Sequence, residues 1–404
     1  MNTMKNITIV GGGPAALMLA SHLDTTNYNV TIYDQKKSVG RKFLVAGEGG
    51  LNLTYSSPIS ELINQYVPQN FMAAALAQFT NEDLITWLET IGISTFVGSS
   101  NRVFPSKELK PIEVLNTIVE HLKTKGITFQ LNAQWNGWTA AGDLRYEGHE
   151  DIVSDIVVFA LGGASWKVTG SDGEWIKAFE QRNIKTIAFR SANCAFGVNW
   201  KKAFIATHAG KPVKNIAIRF SNQTAKGELV LSKFGLEGNA IYALSRNIQE
   251  ALESKENVLI EIDLKPTLTT TELMVKYQNS TLSKVTDILK DDLNLDRTAI
   301  GLLKQFTDKE TFMNPDLLIA KIKAVPITLT AVDEIDRAIS TLGGIDLDEV
   351  DEHFQLKKIP NTFAIGEMLD WYAPTGGYLL QGCFSMGFSL SQHLNELTIG
   401  NENE

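Results

Sequence analysis

Apolar positions along the chain follow two periods. Residues 7–10 and 30–34 are short apolar runs, and between them Ala16, Leu19, Ala20 and Leu23 recur at helical spacing. The first 34 residues therefore predict a strand, a helix and a second strand parallel to the first. Residues 58–95 read as mostly helical, with Leu84, Leu88 and Ile91 on one stripe and Gly92 ending the last helix. Residues 98–105 read as a loop, 112–122 as a helix that stops near Gly126, and 127–131 as a strand. Residues 155–163 form a continuous apolar run ending in Gly162 and Gly163, the pattern of a buried parallel strand that delivers its loop to a ligand.

The middle of the chain changes character. Between 191 and 266 short strands are expected at 216–220, 228–231 and 258–264, with one helix over 240–252. Residues 270–324 are helical, polar and rich in charge. Strands return after Pro326, and 361–367 is another buried strand running into a glycine turn. No internal repeat is visible, and 401–404 read as a disordered tail.

The first strand ends in Gly11-Gly12-Gly13-Pro14-Ala15-Ala16, and the second strand ends in Asp34. This is a dinucleotide fingerprint in its proper strand–turn–helix setting. Gly11 permits the tight turn, Gly13 lets backbone approach a pyrophosphate, and Ala16 stands where a third glycine would allow close helix–strand packing. The helix N-terminus faces the phosphates, and Asp34 is placed to accept from a ribose diol. The expected architecture is α/β. A Rossmann-like nucleotide-binding domain spans 1–190 and 330–404, and an inserted domain spans 191–329, β-rich over 191–268 and helical over 269–325.

Composition narrows the function. With 37 basic and 46 acidic residues in 404 the net charge is −9, which argues against nucleic acid as the main partner. The lysines at 201, 202, 211 and 214 read as a solvated face. The two cysteines, Cys194 and Cys383, are far apart in sequence, so neither a disulfide framework nor a zinc site is expected and a reducing cytoplasm is the natural compartment. The six histidines show no metal spacing. No apolar stretch is long enough to span a bilayer.

Four further features point to FAD rather than NAD. Asp34 and Gln35 are followed by Gly40-Arg41-Lys42, whose basic pair is expected near a pyrophosphate. Ala160-Leu161-Gly162 is similar to the strand end that passes beside FAD in flavoproteins of the glutathione-reductase-like class. Gly366-Glu367 resembles their C-terminal strand end, which reaches the ribityl and pyrophosphate region. Pro374-Thr375-Gly376-Gly377-Tyr378-Leu379 reads as a glycine turn opening a last helix, whose N-terminus would favour negative charge on a flavin ring. A cofactor as long as FAD needs contacts from both chain ends, which explains such turns at both.

Over nearly its whole length the chain resembles the bacterial YhiN/HI0933-type flavoproteins, which are NAD(P)/FAD-dependent oxidoreductases. The resemblance rests on the stretches at 11–16, 40–44 and 49–54, on Arg102-Val103-Phe104-Pro105, on Leu161-Gly162-Gly163-Ala164-Ser165-Trp166, on Phe234-Gly235-Leu236-Glu237-Gly238, and on 366–370 and 374–378. Many members read Ser-Gly-Gly-Gly-Arg-Cys-Asn where this chain has Ala46-Gly47-Glu48-Gly49-Gly50-Leu51-Asn52, so any chemistry of that cysteine is absent here. The resemblance implies non-covalent FAD held by Gly11, Gly13, Pro14, Ala15, Ala16, Asp34, Gln35, Arg41, Lys42, Asn52, Trp135, Ala160, Leu161, Gly162, Gly366, Glu367, Asp370, Gly377, Tyr378 and Leu379. Thr54 is a further polar group on the flavin side.

Flavin supplies the redox chemistry, so catalytic side chains are hard to see. Glu48, Asn52, Tyr378 and Gln381 lie on segments expected to reach the ring and are the candidate proton donors. Trp371 and Tyr372 either wall the pocket or pack the core, and His208 is the candidate substrate contact in the inserted domain. The leading expectation is an enzyme that passes hydride from NAD(P)H through FAD to an unsaturated or oxidised small molecule. No second glycine fingerprint exists for a dedicated nicotinamide domain, so that donor would bind transiently at the same face. The alternative is a partner-dependent flavoprotein, an electron carrier or redox sensor.

Overall fold

In the computed structural model of the chain, residues 4–47, 50–98 and 100–400 are described, with side chains through Leu397. The chain divides into two compact units, Met1–Arg190 with Ile339–Glu404, and Ser191–Ala338. The candidate Glu48 and the expected tail over 401–404 lie outside the described residues.

The first unit is built on a five-stranded parallel sheet in the order Thr362–Ala364, Ile156–Phe159, Lys5–Val10, Tyr28–Asp34, Thr128–Leu131. Its register places Ile9 opposite both Ile32 and Val158, and Phe363 opposite Val158. These residues are buried almost completely, as expected of strands covered on both faces. The helix Pro14–His22 follows the first strand and packs on the C-terminal helix Tyr378–Gly400. A Cβ at Gly387 would lie 2.3 Å from Ala15 O, so the small residue there sets how near the two helices come. The first strand and the last helix thus share one core, and both chain ends deliver their loops to the same edge of the sheet.

Residues 98–105, read as a loop, are ordered differently. Arg102–Pro105 is the middle strand of a small antiparallel sheet, between Thr54–Tyr55 and Thr95–Val97. Gly98 N donates to Arg102 O at 2.8 Å, and Phe96 stacks on Phe104. The strands are three residues or so long, too short for alternation to show in sequence.

The second unit is a closed antiparallel barrel. Its strands run Phe196–Val198, Gly235–Glu237, Gln223–Leu231, Lys211–Phe220, Val258–Asp263, Val325–Val332, and pairing of Val198 with Leu329 closes it. Helices Thr270–Gln278, Arg297–Gln305, Lys309–Met313 and Pro315–Lys323 pack into the barrel's own hydrophobic core. Residues 330–338, assigned from sequence to the nucleotide-binding domain, belong to this unit, because the closing strand runs to Val332. The single helix expected over 240–252 is two, Asn239–Tyr242 and Ser245–Ser254, interrupted at the buried Leu244.

Candidate cofactor and active site

The first strand runs directly into the glycine turn. Gly11 has φ +100°, its N–H donates to Tyr33 O, and a Cβ there would lie 2.4 Å from Ala160 O. The fold itself therefore requires glycine at 11. Gly13 differs: its φ of −81° suits any residue, and a Cβ would meet nothing nearer than Ala160 O at 4.0 Å. Packing of the protein gives no reason for glycine at 13, whereas close approach of a phosphate does. Gly13 caps the helix Pro14–His22 with no side-chain hydrogen bond, Pro14 takes the first turn, and Ala15 and Ala16 are buried beneath it. The first N–H groups of the helix are left for an anion.

Asp34 ends the second strand beside this turn. Its Oδ2 accepts from Gly12 N at 3.0 Å and its Oδ1 from Lys36 N at 2.8 Å. Burial pushes its carboxyl up, and the two N–H donors pull it back down. Gln35 Nε2 donates to Gly170 O at 2.7 Å, so this side chain secures the loop after Gly162. Ala160 N donates to Val10 O, and Gly162 O accepts from Trp175 Nε1. Leu161 is half-buried between them. Trp135 lies in an aromatic cluster with Trp138, Phe159 and Phe179, under the strand that carries Ala160.

Four distant segments meet at one carboxylate. Lys42 Nζ donates to Glu367 Oε2 at 2.8 Å, Thr341 N donates to Glu367 Oε1 at 3.0 Å, and Ala164 N donates to Thr341 Oγ1. Glu367 is 8% exposed. Thr341 was invisible in the sequence reading, because it sits on a strand with no motif around it. Gly366, at the turn before Glu367, has φ +82°, and its carbonyl accepts from the Trp371 indole. Trp371 is thus a core residue and not a pocket wall. Asp370 Oδ1 accepts from Gly343 N at 2.8 Å, which ties the turn to the strand Ser340–Ile345.

At the other end of the path, Tyr378 opens the C-terminal helix. Its ring stacks on Tyr55 at 5.0 Å, and its carbonyl accepts from Tyr66 Oη. Burial pushes the Tyr378 phenol up, so it holds its proton at neutral pH. The Arg102 side chain lies against Gly376, beside Tyr378, and makes no ion pair with any described residue. Leu379 is half-buried in the next position. Gln381, a candidate proton donor, is fully buried, and its amide donates to Phe79 O and Ser385 Oγ. It braces the helix internally. Asn52 donates to Gly50 O at 3.1 Å.

These residues fit a flavin dinucleotide. Besides the open position at Gly13, Arg41 Nε, Asn52 Oδ1, Thr54 Oγ1 and Ser165 Oγ are buried without a hydrogen-bond partner among the described residues. Buried polar atoms are rarely left so unless a ligand or water serves them. Both acceptors and donors are represented, as the mixed polar edges of FAD require. No helix of the described residues is long and apolar enough to cross a membrane.

Comparison with known proteins places the chain in a family. The HI0933-like protein Rossmann domain matches residues 5–393. The chain is 24% identical to the ribosomal RNA dihydrouridine synthase of Escherichia coli strain K12, over 96% of this chain and 97% of that one. It is 23% identical to a 3-dehydro-bile acid delta(4,6)-reductase of Clostridium scindens, over 95% of this chain and 98% of that one. In fold it is similar to a flavocytochrome c3 fumarate reductase in an open conformation, with a TM-score of 0.51 and 12% identity, covering 97% of this chain and 78% of that one. With the glycine turn, the open cradle at Gly13 and a family match across almost the whole length, the chain belongs to the HI0933-like family and is an FAD-dependent oxidoreductase.

Proposed function

We propose that the protein binds FAD non-covalently, draws electrons from NAD(P)H and saturates a carbon–carbon double bond conjugated to a carbonyl in a small ring. The observation that carries the cofactor part is Gly13, a glycine the fold does not need and a phosphate does. Gly11–Ala16 and Arg41 would hold the pyrophosphate, with Lys42 and Glu367 at the ribityl side and Asp34 at the adenosine ribose. Asn52, Thr54, Gly377, Tyr378 and Leu379 would face the ring. Bound FAD supplies two-electron chemistry; the chain orients the substrate and supplies charge and protons. Tyr378 Oη keeps its proton at neutral pH and is the candidate donor. Arg102, which forms no ion pair with any described residue, supports a role in holding an electron-rich oxygen of the substrate. The substrate type is supported by the two relatives, since one name denotes formation of dihydrouridine and the other a delta(4,6)-reductase.

The test is a pair of measurements on the purified protein. Denaturation should release FAD. Anaerobic NADH or NADPH should bleach the flavin absorbance, and 2-cyclohexen-1-one or a uridine-containing RNA should restore it. Protein reconstituted fully by FMN alone sinks the cofactor assignment. Bleaching that no unsaturated carbonyl reverses, but a cytochrome or other carrier does, favours the electron-carrier alternative.

A further inference from the structure

The strand Ser340–Ile345 pairs with Thr186–Ala192 in a two-stranded ribbon and is buried at every position but Leu342. It starts one residue after the chain re-enters the first unit at Ile339. Along its length it is tied to the turn Gly366–Asp370. Thr341 N donates to Glu367 Oε1 at 3.0 Å, Gly343 N donates to Asp370 Oδ1 at 2.8 Å, and Asp370 N donates to Ile345 O at 3.0 Å. Gly344 has φ +112°, and a Cβ there would lie 2.2 Å from Met368 O, so strand and turn run closer than a side chain allows.

Thr341 is 3% exposed, so water does not stand in for its partners. Its hydroxyl meets two elements: Oγ1 accepts from Ala164 N at 3.3 Å and donates to Glu367 Oε1 at 3.5 Å. One side chain therefore joins the loop after Phe159 to the turn at Glu367. Gly163 records how close this junction is. A Cβ on Gly163 would lie 2.0 Å from Thr341 Oγ1 and 3.0 Å from Glu367 Cδ. Its φ lies outside the left-handed region, so the threonine hydroxyl and the carboxylate, and not backbone conformation, exclude a side chain there. The other carboxylate oxygen goes to Lys42, which is partly exposed on a flexible stem. Thr341 N is fixed by its strand and is the rigid part of the setting of Glu367.

We propose that Thr341 is a positioning residue for the cofactor: it aims the Glu367 carboxylate at the ribityl side of FAD and holds the Gly163–Ala164 loop against the same turn. The proposal rests on the placement of Glu367 beside FAD given above. An ionised carboxylate accepts several hydrogen bonds, and Lys42 and Thr341 take one direction on each oxygen. The remaining lone pairs are left for hydroxyls of the cofactor, in a direction set before the cofactor arrives. A carboxylate free to rotate would lose that freedom on binding, and fixing it beforehand tightens binding. Serine supplies the same hydroxyl, valine the same shape without it, and alanine neither.

The experiment uses the full-length, FAD-loaded protein. The dissociation constant of FAD is read from its fluorescence on serial dilution, and each variant is melted at saturating FAD. Thr341→Val should raise the constant about tenfold, equal to about 1.4 kcal/mol, and Thr341→Ser should stay within about threefold of wild type. In a Glu367→Gln background Thr341→Val should add less than about threefold, because its effect runs through the carboxylate. Ser385→Ala is the control: it removes a buried hydrogen bond to Phe79 O in the same unit, so it should lower the melting temperature and leave the constant within about twofold. An unchanged constant in Thr341→Val, full additivity with Glu367→Gln, or a serine variant as weak as the valine variant makes Thr341 a packing residue and overturns the proposal. Where Thr341→Val does not fold, Thr341→Ala against Thr341→Ser carries the same comparison, about tenfold against about threefold. Wild type that holds no FAD, or Glu367→Gln that holds it as tightly as wild type, overturns the placement of Glu367 as well. A weakened Glu367→Gln beside an unchanged Thr341→Val rejects the positioning role and spares that placement.

Discussion

Lys42 Nζ and Glu367 Oε2 lie 2.8 Å apart although 325 residues separate them in sequence. Glu367 is nearly buried and Lys42 about a quarter exposed, so removing the cation strands a carboxylate. Lys42→Met should lower stability by about 1–3 kcal/mol, less than for a fully buried pair because water reaches Lys42. The double variant Lys42→Met/Glu367→Gln should recover part of that loss. Urea titrations of the single and double variants decide it, and additivity of the two changes would show that the pair carries no coupling.

Gly11 and Gly13 should separate fold from cofactor. Gly11→Ala places a Cβ 2.4 Å from Ala160 O at a positive φ and should destabilise the protein by several kcal/mol or abolish soluble expression. Gly13→Val has room and an ordinary φ, so the apoprotein should fold with a loss of about 1 kcal/mol or less. It should nonetheless fail to retain FAD, because the branched side chain occupies the approach to the pyrophosphate. A Gly13→Val protein that co-purifies with stoichiometric FAD removes the assignment of this turn.

Gly377 was read from sequence as a backbone donor toward a flavin ring, and the structure gives it a second task. It has φ +100°, and a Cβ there would lie 2.6 Å from Thr54 Cα. Gly377→Pro cannot adopt that φ and should destabilise the joint between the small sheet and the C-terminal helix by about 3 kcal/mol or more. Thermal melts of the holoprotein read this directly. A well-folded Gly377→Pro protein with an altered flavin potential would instead return the residue to an electronic role.

His22 links stability to pH. It is half-buried against Phe79, Trp87 and Phe388, its Nδ1 lies 3.1 Å from Met18 O, and desolvation pulls its pKa down to about 4. The folded state therefore prefers the neutral ring. This contribution is complete above the unfolded value near 6.5 and is lost as pH falls toward 4. Between pH 7.5 and 5.5 it amounts to about 1–1.5 kcal/mol. His22→Phe should remove that part of the slope in urea-denaturation free energies, and an unchanged slope contradicts the assignment.

The two cysteines should be inert. Burial pushes the thiols of Cys194 and Cys383 up to about 12, so almost no thiolate is present at neutral pH. Native protein should react with a disulfide reagent only as fast as it opens, and rapid labelling of one thiol would reveal a reactive site.

The strand–turn–helix at 7–34, the buried strand ending in Gly162 and the C-terminal strand at 361–367 were legible in sequence because local chemistry dictates them. Apolar runs, glycine turns and a terminal carboxylate leave marks a few residues apart. The small sheet through Arg102 and the end of the barrel at 338 were not, because short strands are fixed by their partners and not by their own pattern. The same division runs through the site. Gly11, Gly13 and Asp34 announce themselves by spacing. That Lys42, Ala164, Thr341 and Glu367 share one network, that Gln381 is committed to Phe79 and Ser385, and that Arg102 comes to rest beside Tyr378 are consequences of packing. Sequence by itself determined which backbone turns approach a phosphate. Only the tertiary structure decided which side chains have partners within the protein and which, like Asn52 and Thr54, keep buried polar atoms for something else. The reason is that hydrogen-bond satisfaction is a property of the whole enclosure around an atom, which no stretch of neighbouring residues specifies.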